Sequence, residues 1–260
     1  MRIRYAVYAL LVFCLSPAAS YAQQESVSEL KNKADAGDAS AMFKLGVMSD
    51  RGSNSPQDYV EAAKWFQRAA EKGHVQATYN LGCMYNEGQG VNQDFVEALK
   101  WYRKAADKGY PWAMYNIGVK YQYGEGVTTN YAEAMNWYRK AADQGAAEAM
   151  YNLGCMYNEG IGVKQDYAEG MRWFRKSADQ GYALAMHNVG AKYRIGEGVP
   201  KDYVEAYKWI TLSGSNGLAN ASLWLNKLEL VMTPEQVAAA QKAAREWKRV
   251  LFDFNTLHAN

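Results

Sequence analysis

At 260 residues the chain is long enough for one or two ordinary domains. Its formal charge is only +2, which argues against a nucleic-acid binder or an acidic-membrane binder. With 3 His and 3 Cys, there is little material for a metal cluster or a disulfide scaffold.

Residues 1–22 have the form of a secretory signal. Arg2 and Arg4 give a positive start, an apolar run of about ten residues comes next, and Ser20-Tyr21-Ala22 offers a small-x-small cleavage site. The run is about half of the roughly twenty residues needed to span a bilayer. Cleavage would remove both arginines and leave a neutral chain with no membrane span, in the periplasm or outside the cell.

Residues 25–36 read as a short helix stopped by Gly37, a half-repeat covering the N-terminal end of a repeat array. From residue 38 the sequence repeats without a gap, as 38–73, 74–109, 110–145, 146–181 and 182–217. Trp65, Trp101, Trp137, Trp173 and Trp209 share one position, and Gly46, Gly82, Gly118, Gly154 and Gly190 share another. A 36-residue period is the signature of a solenoid, in which each unit stacks on its neighbours.

In the second repeat, 75–86 is expected to form helix A, with Ala77, Leu81 and Tyr85 as its apolar stripe. Gly88-Gln89-Gly90 makes the turn, and Asn54 replaces the second of these glycines in the first repeat. Helix B starts at Asp94. An Asp or Asn followed three residues later by Glu recurs in all the repeats and predicts a reciprocal capping box. Ala98, Trp101, Ala105 and Ala106 supply the buried side, and Gly109 ends the helix. Gly82 and Ala77 admit a close neighbour, and Trp101 is expected to fill the space between layers.

Residues 218–260 leave the pattern. A partial helix A over 219–230 precedes the cap Thr233-Pro234-Glu235-Gln236. The helix after this cap carries Val237, Ala240, Ala244, Trp247 and Leu251 on one side and is expected to cover the last repeat. Cys14 leaves with the signal. Cys83 and Cys155 lie two repeats apart, about 20 Å at one helix layer per repeat, too far for a disulfide. Other repeats carry Val47, Val119 and Ala191 there, so these read as buried apolar thiols.

Each unit reads A-x-Y-N-L-G-x-x-Y-x-x-G-x-G-V-x-x-D-x-x-E-A-x-x-W-x-x-x-A-A. This closely resembles the Sel-one-like repeat, a relative of the tetratricopeptide repeat, and TPEQVAAAQKAAREW resembles the closing helix of bacterial members. The resemblance implies an all-α, right-handed α-solenoid that acts as a protein-binding adaptor, often in the bacterial envelope or secreted. Cysteine-rich members that pair cysteines within each repeat have been linked to β-lactam binding. This chain lacks those pairs, so that activity does not carry over.

The GxG of four repeats lacks both the preceding strand of a dinucleotide site and the Lys-Ser/Thr of a phosphate loop, so it is a turn. His74, His187 and His258 do not cluster, and there is no nucleophile elbow. No catalytic residue, metal or cofactor is expected. An enzyme acting on cell-wall or β-lactam-like material is the alternative, and it needs groups converging from distant repeats.

Binding is argued from differences between repeats. The positions of Gln76, Asn80 and Glu87 lie beside the core stripe of helix A. The outer two vary freely: Ser40/Arg51, Trp112/Tyr123, Glu148/Glu159 and Leu184/Ile195. The middle position is Lys44, then Asn80, Asn116, Asn152 and Asn188. The amides either hydrogen-bond an extended peptide or serve the fold itself, and both readings stay open. Trp112 and Tyr123 are either binding anchors or rings packed under a neighbouring loop. The expectation is an exported, monomeric adaptor that binds a protein or peptide on the concave face. An envelope spacer with no selective ligand is a further alternative.

Overall fold

The structure, a computed structural model, describes residues 26–53 and 56–257, with side chains as far as residue 247. The expected signal 1–22, Asn54, His258 and the side chain of Leu251 fall outside the described residues.

The described residues form thirteen helices and no strand. After α1 (Val27–Asp35) come five helix pairs. These are α2 (Ala39–Arg51) with α3 (Tyr59–Glu71), α4 (Val75–Glu87) with α5 (Phe95–Ala106), and α6 (Pro111–Tyr123) with α7 (Tyr131–Asp143). They continue with α8 (Ala147–Glu159) and α9 (Tyr167–Asp179), then α10 (Ala183–Ile195) and α11 (Tyr203–Ser215). Each helix packs on its predecessor and its successor, which makes an all-α solenoid. α1 covers one end through Leu30 and Ala34. At the other end, α12 (Ala221–Glu229) and α13 (Pro234–Leu257) both pack on α11.

Local chemistry sets the helix starts. In all five helices B the side chain of the cap, from Asp58 to Asp202, accepts the N–H of the glutamate three residues on. The expected return bond from that glutamate is not formed there. The cap's own N–H already donates to a helix A carbonyl, as Asp94 N does to Tyr85 O at 2.9 Å. The freed glutamate instead accepts an indole N–H, Trp137 to Glu133 and Trp209 to Glu205, or pairs with a cation, as with Lys100 and Glu97. Full reciprocal boxes form at Ser26/Glu29 and Thr233/Gln236, where the cap N–H donates to the side chain three residues on.

The second turn glycine has a packing duty. Gly90 has φ +68°, and a Cβ there would lie 2.0 Å from the carbonyl oxygen of Tyr59 in the preceding repeat. The turn of one repeat therefore rests on the start of helix B in the repeat before.

Trp65 is buried as expected, but the tryptophan expectation needs correction in the three middle repeats. A Cβ on Gly82 would meet the ring of Tyr102 at 2.7 Å, and Phe66, Tyr138, Phe174 and Ile210 fill the corresponding notches. These side chains are wholly buried, whereas Trp101, Trp137 and Trp173 are half-buried. One residue is about 100° around a helix, so the notch takes position 102 and leaves 101 on its flank. Lys104, Lys140 and Lys176 cover the flanking rings at 3.7, 4.0 and 4.2 Å. Trp209 is fully enclosed because α13 brings Trp247 against it, with ring centroids 5.2 Å apart.

Candidate interaction surface on helices A

Helices α2, α4, α6, α8 and α10 are tied sideways by side chains. Asn116 Nδ2 donates to Tyr79 Oη at 3.3 Å, one repeat back. Asn152 and Asn188 stand in the same register to Tyr115 and Tyr151, whose phenols they help to hold down against the effect of burial. At Asn80 the register puts Phe43, which has no hydroxyl, in the tyrosine's place. Phe43 stacks instead on His74, centroids 4.4 Å apart, and His74 caps α4 by accepting the N–H of Ala77. Lys44 is exposed on α2.

The phenols behind this row are partly buried and close to one another. Tyr79 and Tyr110 lie 5.0 Å apart, and Tyr151 and Tyr182 5.3 Å. Burial pushes Tyr79 and Tyr102 well above the ordinary phenol range, and pushes Tyr182 up to about 12. Cys83 and Cys155 are free thiols in this layer, each pushed up to about 11 by burial. Tyr102 Oη donates to Cys83 Sγ at 3.6 Å, so the thiols sit among phenols rather than in a purely apolar pocket. A thiol held this high is protonated at neutral pH and is a poor nucleophile.

In front of the row the outer positions are open. Trp112 and Tyr123 on α6 are 40% and 58% exposed, and Leu184 and Ile195 on α10 are 41% and 51% exposed. Glu148 is half-buried and Glu159 exposed on the intervening α8. The structure thus brings all the predicted positions onto one row of helices, with Asn116 bonded into the fold behind the open rings. Reading the positions only as variable missed their order, which repeats every two units. The recurrence two repeats apart of Cys83 and Cys155, and of Lys120 and Lys192, carried that signal in the sequence.

Two buried lysines were also missed. Lys120 and Lys192 reach back to Asn86 Oδ1 and Asn158 Oδ1 of the preceding repeat. Lys120 also bonds Glu125 at 2.6 Å and Lys192 bonds Glu197. Their ammonium groups lie over the rings of Phe95 and Tyr167 at 4.4 and 4.9 Å. Among the described residues no group of His, Cys, Asp and Glu is placed to hold a metal ion, and no helix is long and apolar enough to cross a membrane.

A linear stack of two-helix units presenting one row of helices defines a repeat scaffold of the α-solenoid class. The Sel1 repeat pattern matches residues 39–74, 75–110, 113–145, 147–182 and 183–218, and the chain belongs to the Sel1 repeat family. Sel1 repeat proteins are generally protein-interaction scaffolds, and the fold is typically non-enzymatic. A Sel1 repeat protein of Oxalobacter formigenes is similar at 30% identity and TM-score 0.71, over 85% of this chain and 99% of that one. A Sel1 repeat protein of Klebsiella pneumoniae (22% identity, TM-score 0.50) is matched over 78% of this chain and 99% of its own. An immunity protein of Pseudomonas aeruginosa (23%, TM-score 0.50) is matched over 83% of this chain and 81% of its own. The last two likenesses are of fold alone. A comparison with curated proteins finds no match.

Proposed function

We propose that this chain is an exported bacterial adaptor that binds a protein or peptide along the open row of helices A, on the concave side of the solenoid. The observation that carries the reading is the pair Trp112 and Tyr123, two large rings on one helix left 40% and 58% exposed. Large aromatic side chains at such positions are favoured anchors for a partner. Behind them, the bond from Asn116 to the Tyr79 phenol leaves that amide further donor and acceptor capacity for a peptide backbone, and Asn152 and Asn188 continue the row. Asn80, facing Phe43, and the exposed Lys44 extend the row to the first repeats. The form of residues 1–22 supports export, and a monomer suffices for the reading.

The test is capture of partners from the organism's own cell-envelope extract by residues 23–260, beside Trp112→Ala and Tyr123→Ala. Both variants should keep parental helicity and melting, because the rings they remove are exposed. Loss of an anchor should weaken a captured partner by about 2 kcal/mol or more. A partner held equally by the parent and both variants would refute this surface. Capture of nothing across several salt concentrations would favour a spacer.

A further inference from the structure

From the second repeat onward the exposed corners of helices A alternate in chemistry, whereas α2 carries Ser40 and Arg51 there. Near the start of the helix the series is Gln76, Trp112, Glu148, Leu184, and near its end it is Glu87, Tyr123, Glu159, Ile195. The two series change in step. α6 and α10 are therefore apolar at both corners, and α8 between them carries a carboxylate at both.

Those carboxylates have no cation of their own among the described residues. The neighbouring lysines are committed elsewhere, Lys120 to Glu125 and Asn86, Lys192 to Glu197 and Asn158. Burial pushes the Glu148 carboxyl above its ordinary range, so its charge is held at a disadvantage that an incoming cation would relieve. At the amino-terminal end of the row, Glu87 and Asp50 are similarly raised by burial, and the charge of Asp50 adds to the effect on Glu87. The facing cations there are Arg51 beside Asp50 and Lys120 beside Glu87.

We propose that this surface takes an extended segment of another protein in which a Lys or Arg lies between two apolar side chains. The apolar groups seat on α6 and α10, and the cation sits over α8. This rests on the adaptor reading above and specifies its ligand. Packed helices lie about 10 Å apart, which puts α6 and α10 about 20 Å apart. An extended chain advances about 3.3 Å per residue, so the apolar anchors should be about six residues apart with the cation midway. Extended backbone also has free N–H and C=O groups for the amides of Asn116, Asn152 and Asn188, which a helical segment would lack. An acidic segment would meet like charge over α8.

The experiment pans a displayed library of random twelve-residue peptides against residues 23–260 and measures the selected peptides by fluorescence anisotropy. The same peptides are measured on Glu148→Lys/Glu159→Lys and on Trp112→Ser/Leu184→Ser, each first checked for parental helicity and melting. Selected peptides should carry the apolar, basic, apolar order at that spacing. Charge reversal of the protein should weaken them about tenfold or more, and replacing the peptide's basic residue by Glu should restore binding to the reversed protein. Should the lysine pair disturb folding, Glu148→Gln/Glu159→Gln makes the same comparison with a smaller expected loss. Peptides that need Trp112 and Leu184 but are indifferent to the charge changes would overturn this inference and leave the adaptor surface standing. If no peptide depends on either pair, both fall.

Discussion

The junction between the second and third repeats is built around a buried lysine, and the junction between the third and fourth around a buried methionine. Lys120 in α6 and Lys192 in α10 occupy the position that Met84 holds in α4 and Met156 in α8. The backbone pairing is the same at each junction, so one stack accepts an ammonium or a thioether at one site. What differs is the company. Each lysine comes with an asparagine one repeat back and a glutamate five residues on, whereas Met156 has Gln122 and Ile161 in those places. A buried charge is tolerable only when its partners are built with it, so the residues change as a set.

The strongest way to break this comparison is to move the charge without its set. Met156→Lys would bury an ammonium beside Ile161, with Gln122 already engaged by Tyr138 at 2.6 Å. It should lose about 3 kcal/mol or more of stability in a denaturant melt. Adding Ile161→Glu should recover a substantial part of that loss. A single variant as stable as the parent would show the two junctions to be interchangeable.

A feature common to both kinds of repeat should not notice the alternation. Gly118→Ala and Gly154→Ala each place a Cβ 2.7 Å or less from a buried ring, Tyr138 or Phe174. Each should destabilise by about 1–3 kcal/mol, and by similar amounts, as measured by thermal unfolding.

The amide row offers a smaller contrast. Asn116→Ala removes a hydrogen bond to the Tyr79 phenol and should lose about 1 kcal/mol. Asn80→Ala, opposite Phe43, should stay within about 0.5 kcal/mol of the parent. Equal losses would mean that the amides do not act through the phenols.

The smallest effect concerns Glu148 and has a pH signature. Burial raises its folded-state pKa above the unfolded value, so the native chain binds this proton more tightly. Its contribution to stability is greatest below the unfolded pKa, falls as pH rises through the carboxylate range, and stays lower at neutral pH. Glu148→Gln should therefore melt slightly above the parent near pH 7, and the difference should vanish at about pH 3. A difference that grows on acidification would reverse the assigned cause.

Much of the fold was legible because its determinants are local or periodic. The repeat length, the Asp and Asn caps and the terminal box at Thr233/Gln236 depend on residues close in sequence. Ala98, Ala105 and Ala106 are buried as expected, but the large core side chain was placed one residue off, on Trp101 instead of Tyr102, because both are aromatic and only the Gly82 notch distinguishes them. The thiols were expected in apolar surroundings, since the phenols of Tyr79 and Tyr102 come from different helices. Nothing local to Lys120 or Lys192 marks them as buried, because Asn86 and Asn158 come from the preceding repeat.

By itself the sequence determined that this is an all-α stack of two-helix units, capped at both ends, with Trp112, Tyr123 and the asparagines on one face. Those conclusions need only helix periodicity and capping, which act within one turn or one repeat. The tertiary structure decided which side chain enters each glycine notch, which lysines are buried, and that Asn116 is bonded to a phenol of the preceding repeat. Those choices depend on distances between residues on different helices, and such distances exist only once the helices are packed.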